Sequence, residues 1–180
     1  VDYTEQITES FKILSDDKKL DLIYLPNFRA PGVINIAPTL FARIDKASYR
    51  EALSNLIENA IKYTAQGAVK IDVKLSPEND ILVKVIDSGV GVPAEDIPHL
   101  FEKFYRVDNR ETREIGGTGL GLYLARRLIE KMGGSMFVES ELNVGSTFGF
   151  RLSRLDEKEA KQLIHNEQST EGRTVYVEEP

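Results

Sequence analysis

The 180-residue sequence contains no cysteine. That excludes disulfides, thiolate metal sites and a cysteine nucleophile. Its two histidines, His99 and His165, lie far apart in the chain, which speaks against a histidine metal site and a Ser/His/Asp triad. No apolar run approaches the roughly 20 residues that span a bilayer. The first ten residues carry Asp2, Glu5 and Glu9 and lack the apolar stretch of a secretory signal. Positive charge is not in surplus. Lys and Arg number 23 against 29 Asp and Glu, a net −6, which argues against a nucleic-acid backbone as partner. The chain begins at Val1 rather than Met and reads as a fragment.

What is present suffices for a globular domain. Apolar residues make up 41% of the chain, enough for a real core, and the length fits one domain with an appendage. Val1–Tyr3 reads as the start of a strand, and Thr4–Asp17 as a helix with Thr4 as its N-cap. Leu20–Leu25 reads as a strand. Pro26, Pro31, Gly32 and Pro38 mark an irregular connection over residues 26–39. Asp45–Thr64 is the clearest helix, capped by Asp45 and striped by Tyr49, Leu53, Leu56, Ile57, Ala60 and Ile61.

Val69–Leu75 alternates and, with Ile81–Ile86, predicts a hairpin. Ala94–Phe104 reads as a short helix or helical turn, and Arg106–Gly117 as a mobile polar loop. Gly119–Met132 is a helix stopped by Gly133-Gly134. Ser135–Ser140 and Ser146–Leu152 form a second hairpin. After Ser153 the chain turns polar, with seven acids against four bases, a net −3. Within this tail, Asp156–His165 reads as a helix and Thr174–Val177 as a short strand. Strands in adjacent pairs favour a two-layer α/β sandwich over a doubly wound sheet.

Four constellations carry chemistry. Asn55, Asn59 and Lys62 recur at helical spacing within roughly 60° of arc, opposite the apolar stripe. Asparagine is a poor helix former, so two of them on one face suggest a task beyond solvation. Asp87-Ser-Gly89-Val-Gly91 ends a strand. It is either a plain turn or a tight turn that lets a flat ligand reach the backbone while the carboxylate accepts from an exocyclic amine. Gly116-Gly-Thr-Gly-Leu-Gly-Leu122 matches neither a P-loop nor the dinucleotide fingerprint, yet it opens a helix as an anion site does. Lys103, Arg106, Arg110 and Arg113 surround the polar loop. They are either a solvated basic surface or a lid that brings charge to a polyphosphate.

In order, these segments resemble the ATP-binding catalytic domain of two-component sensor histidine kinases. The wider group is the superfamily that includes gyrase, heat-shock chaperones and mismatch-repair ATPases. Asn55-Leu-Ile-Glu-Asn59-Ala-Ile-Lys62-Tyr63-Thr64 resembles the N box and Asp87-Ser-Gly-Val-Gly91 the first glycine box. Leu100-Phe-Glu-Lys-Phe-Tyr-Arg106 resembles the F box, Gly117-Thr-Gly-Leu-Gly121 the second glycine box, and Asn143-Val-Gly-Ser-Thr147-Phe the last. The resemblance covers 1–153 as the catalytic domain. It leaves 154–180 as a polar appendage, partly helical or disordered.

The resemblance implies an α+β two-layer sandwich with a mixed, mostly antiparallel sheet of about five strands. About three helices lie on one face, with a mobile ATP lid. It implies ATP and Mg²⁺ as ligands. Asn59 would hold the metal, with Asn55 beside it near the phosphates. Lys62 would contact phosphate, Tyr63 would line the cleft, and Arg106 would approach the γ-phosphate. Asp87 would accept from the adenine amino group. Gly89 and Gly91 would shape that pocket, and Thr147 would support it through its hydroxyl. Gly117, Thr118, Gly119 and Gly121 would close over the phosphates, with Leu120 anchoring the following helix. Glu58 reads as a surface or packing residue. The ATPase branch has a glutamate where this chain has Asn55, an amide that takes no proton at neutral pH.

The implied activity is therefore histidine phosphorylation on a separate dimerisation domain, absent here, with relay to a response regulator. No nucleic-acid or direct membrane contact is implied, and the domain is expected in the cytoplasm under a parent that is membrane-anchored in many relatives. A conformational ATPase, an anti-sigma-type serine kinase and a non-catalytic nucleotide sensor remain as alternatives. The acidic net charge does not oppose a polyphosphate, because half of it lies in the tail and net charge does not report a site.

Overall fold

Helix periodicity and strand alternation are realised in a computed structural model that describes residues 2–26, 40–107 and 116–163. Two short helices, α1 (Asp2–Glu9) and α2 (Lys12–Asp17), precede β1 (Asp21–Pro26). The long helix α3 (Lys46–Tyr63) follows, then β2 (Ala68–Leu75) and β3 (Ile81–Asp87). A 3₁₀ turn at Ile97–His99, helix α4 (Gly121–Lys131), β4 (Ser135–Glu141) and β5 (Gly145–Leu152) complete the order. These four α-helices are joined by a helical segment at residues 157–163, where about three helices were expected.

The sheet runs β1-β2-β3-β5-β4. β1 and β2 are parallel and the other three pairs are antiparallel, so the mixed, mostly antiparallel sheet is the one expected. Alternation sorts its faces. Val69, Ile71 and Val73 of β2, Val83 and Val85 of β3 and Phe148 and Phe150 of β5 are buried in one core with α3. That helix contributes Leu53, Leu56, Ile57 and Ile61, each at most 1% exposed. Burial of such a side chain stabilises by about 1.5–3 kcal/mol. The Tyr49 ring meets Phe150 edge-on at 5.6 Å, and its hydroxyl pairs with Thr4 at 2.6 Å. Burial pushes the Tyr49 phenol up to about 12, so it stays neutral.

Asp45 caps α3 as its sequence predicts, accepting from the Ser48 amide at 2.8 Å. At the other end the Lys18 ammonium donates to the carbonyls of Ile61 and Lys62 at 2.9 and 3.0 Å, satisfying acceptors the helix cannot.

The N-terminus departs from the sequence reading. Asp2 and Tyr3 begin α1, not a strand, because Tyr3 docks on α3: its hydroxyl donates to the Lys46 carbonyl and Arg50 lies over its ring. Thr4 is therefore inside the helix, where its hydroxyl serves Tyr49 and not a cap. The expected single helix over residues 4–17 is broken, since the Ser10 hydroxyl takes the Ile7 carbonyl at 2.6 Å. Past Ser153 the chain still packs on the domain. The Leu155 amide donates to Phe41, residues 157–163 are helical and Ala160 is buried. The connection at 27–39, the loop core at 108–115 and the strand expected at Thr174–Val177 lie outside the described residues.

Candidate functional site

The end of α3, the ends of β3 and β5, and the segments on either side of residues 108–115 enclose a cleft of about 300 Å³. Its lining includes Asn55, Asn59, Lys62, Tyr63, Asp87, Gly91, Arg106, Gly117, Thr118, Gly119 and Gly121. Four separately read sequence segments therefore converge on one space.

One end is apolar and closed. Val92, Leu100 and Phe148 surround Asp87, which is 8% exposed. Its carboxylate accepts from the Gly89 amide at 2.9 Å. Burial raises the pKa of Asp87, while the Gly89 and Ser146 amides pull it down. The result is a fixed, poorly hydrated acceptor, a kind of group that selects ligands by what they can donate. The turn beyond it needs its glycines. Gly91 has φ +67°, and a Cβ there would stand 2.0 Å from the Glu141 carbonyl oxygen. The β4–β5 hairpin braces this turn, with Asn143 N donating to Val90 O at 2.8 Å and Val92 N to Ser140 Oγ at 2.9 Å.

The other end is polar and open. Asn55 Nδ2 donates to the Glu51 carbonyl at 2.9 Å, and its oxygen lies against the first residue of α4. A Cβ on Gly121 would lie 2.8 Å from that oxygen. Here α4 starts with no side-chain cap, which leaves its first-turn amides without a capping side chain. The Lys62 ammonium lies 5.1 Å from the Tyr63 ring centre and close to Gly117. The two flanks of the loop are tied together by Arg106 Nη1 to Gly117 O at 3.0 Å and Phe104 N to Gly119 O at 3.1 Å.

Three expected residues are not in the lining. Gly89 sits behind the turn, where a Cβ would come 2.4 Å from the Tyr63 carbonyl oxygen. Leu120 is the residue preceding α4. Thr147 is turned to the other face of the sheet, in a shallow depression with Lys70, Ile86 and Glu139. Strand alternation puts Ser146 and Phe148, not Thr147, toward the cleft. The one-residue parity of β5 was available in the sequence from its apolar positions Phe148, Phe150 and Leu152.

Glu58, expected as a surface or packing residue, is exposed and also borders the cleft. Lys103 is engaged over the Tyr123 ring at 5.0 Å, and Arg110 and Arg113 lie outside the described residues. His99 pairs with Glu102 at 2.8 Å and takes no part in the lining. Among the described residues no cluster of three or more His, Cys, Asp or Glu side chains is placed to hold a metal. Nor is any described helix long and apolar enough to cross a membrane.

Comparison with known proteins follows this geometry. The family described as histidine kinase-, DNA gyrase B- and HSP90-like ATPase matches residues 44–156. Sensor histidine kinase WalK of Bacillus subtilis is 37% identical over 122 residues, 67% of this chain and 20% of that protein. Autoinducer 2 sensor kinase/phosphatase LuxQ of Vibrio cholerae is 33% identical over 141 residues, 74% of this chain and 16% of that protein. The chain thus spans a fifth or less of the length of these relatives. Among solved structures, the catalytic domain of histidine kinase ThkA superposes with a TM-score of 0.67 at 25% identity, over 85% of this chain and 92% of that one. Full-length ShkA in complex with AMPPNP gives 0.70 at 25% identity, over 85% of this chain and 30% of that one.

Proposed function

The chain belongs to the histidine kinase-, DNA gyrase B- and HSP90-like ATPase family, and from that premise we propose that it binds ATP with Mg²⁺ and donates the γ-phosphoryl group to a histidine on a separate dimerisation domain. The observation that carries this reading is one cleft with a buried carboxylate at its apolar end and Asn55, Asn59, Lys62 and Arg106 at its polar end. The apolar end takes the adenine, with Asp87 accepting from its amino group. The hydroxyl that supports this side belongs to Ser146, whose backbone already serves Asp87.

At the polar end Lys62 and Arg106 meet the phosphates, and the amides of Gly117–Gly121 close over them. The donor set suits Mg²⁺, a hard ion that takes one or two protein oxygens and leaves its other positions to phosphate and water. Asn59 is the ligand, since its carboxamide makes no hydrogen bond among the described residues. When bound, the ion neutralises charge on the β- and γ-phosphates. Phosphoryl transfer asks mainly for such positioning and charge neutralisation.

Asn55 decides between transfer and hydrolysis. An amide there orients groups but cannot deprotonate water, so the nucleophile comes from the acceptor. A histidine nitrogen attacks the γ-phosphorus, the bond to the bridging oxygen breaks, and ADP leaves with that electron pair. The phosphorylated histidine then serves a response regulator. The same proposal reads 1–153 as this catalytic domain, in the cytoplasm, and 154–180 as an appendage.

The test adds radiolabelled ATP and a histidine-bearing dimerisation domain to the chain. An acid-labile, alkali-stable phosphohistidine is expected. Acid-stable phosphoserine, steady phosphate release by the chain alone, or no transfer despite bound ATP would each overturn the reading.

A further inference from the structure

Tyr105 lines the cleft, yet its hydroxyl is turned away from it and donates to Asp96 Oδ1. Asp96 precedes the 3₁₀ turn Ile97–His99, but its side chain caps none of that turn's amides. The carboxylate is committed to the phenol instead. The ring of His99 lies 5.4 Å from that of Tyr105 at 34°, with His99 Nδ1 held by Glu102. The carboxylate partner raises the Tyr105 phenol to about 12, so it remains a neutral donor at any working pH.

The segment around Tyr105 needs holding. Phe104 has φ +64°, a conformation a bulky residue adopts only when its surroundings impose it. On one side Phe104 N and Arg106 Nη1 bind Gly119 and Gly117, which carry no side chains to pack. On the other side, Tyr105 ties the same segment to the turn at 94–99. Arg106 is the next residue in the chain and is itself exposed.

We infer that Asp96 is a positioning residue: through the Tyr105 hydroxyl it fixes where the Arg106 guanidinium meets the terminal phosphate, and so sets the preference for a nucleoside triphosphate over a diphosphate. This rests on the reading of Arg106 given above. Asp87 and Ser146 stand on other elements, so loss of the tie leaves base recognition alone.

ATP and ADP affinities are measured by titration calorimetry on the whole chain. Asp96→Ala and Tyr105→Phe are each expected to weaken ATP about threefold to tenfold, the worth of one charge-assisted hydrogen bond after partial compensation. ADP stays within about twofold. Asp96→Asn keeps an acceptor oxygen and restores most of the preference. The double variant is no worse than either single one, because both remove one interaction. Arg106→Ala serves as the reference and lowers the ATP-to-ADP ratio further. If Arg106→Ala lowers that ratio and the two tie variants leave it unchanged, the inference is overturned. An unchanged ratio in Arg106→Ala overturns the placement of Arg106 and the inference with it. Equal losses for ATP and ADP in the tie variants mark a merely structural role and also overturn it.

Discussion

At the apolar end of the cleft Asp87 and Ser146 are 8% and 7% exposed, and Val92, Leu100 and Phe148 belong to the same core as α3. At the polar end Arg106, Gly116, Gly117 and Thr118 are exposed, and Arg106 Nη1 donates to the Gly117 carbonyl at 3.0 Å. The base end is thus a by-product of folding. Its acceptor is desolvated by the fold itself, so on the proposed reading a wrong base leaves an unmet buried charge. On the proposed reading the phosphate end presents Lys62, half-buried beside the Tyr63 ring, and the exposed Arg106. The proposed reading thus puts base selection at the buried end of the cleft and charge handling at its exposed end.

The sharpest way to break this contrast is Asp87→Ala. It should weaken ATP about a hundredfold and abolish discrimination against GTP, as expected when a matched buried acceptor is lost. Unchanged affinity for both nucleotides in a binding titration would refute the base-end assignment. Next in size is Asn59→Ala, which should cost about tenfold in Mg²⁺-dependent binding and almost nothing without metal. Equal losses with and without Mg²⁺ would count against a metal ligand.

A smaller effect probes the support beneath both ends. Lys18→Met removes the ammonium from the α3 carbonyls and should lower stability by about 1 kcal/mol, read by urea unfolding, with base discrimination intact. The smallest effect concerns pH. Because burial raises the Asp87 carboxyl, the folded chain holds that proton more tightly than the unfolded chain. Its contribution is present below the ordinary carboxyl range and is lost as pH rises through the raised value. Thermal melts should therefore show wild type gaining on Asp87→Asn between pH 7 and pH 4, and parallel curves would contradict that sign.

The elements that sequence periodicity located are those whose cause is local. Helix α3 has its cap, its apolar stripe and its polar face within eighteen residues, and both hairpins alternate in their own sequence. The misreadings have distant causes. Tyr3 is helical because α3 receives it across more than forty residues of chain. Ser140, which braces Val92 from the other hairpin, has no local signature of that task. Thr147 lies on the opposite face for a local reason: motif matching is indifferent to strand parity, and a one-residue slip reverses the face.

The sheet also ranks its own seams by the length of chain each must close. β2–β3 and β4–β5 are hairpins that zip from their turns. β1 reaches β2 only from the far side of α3, and β3 reaches β5 only after α4 and β4 have been passed. Closure entropy and contact order make such seams the slow ones. Asp87 and Ser146 face each other across the β3–β5 seam. On the proposed reading, a refolding chain therefore has no place for adenine until that late joint is made. Nucleotide can reward only the finished sheet, and its stabilising effect falls on unfolding rather than on the early steps of assembly.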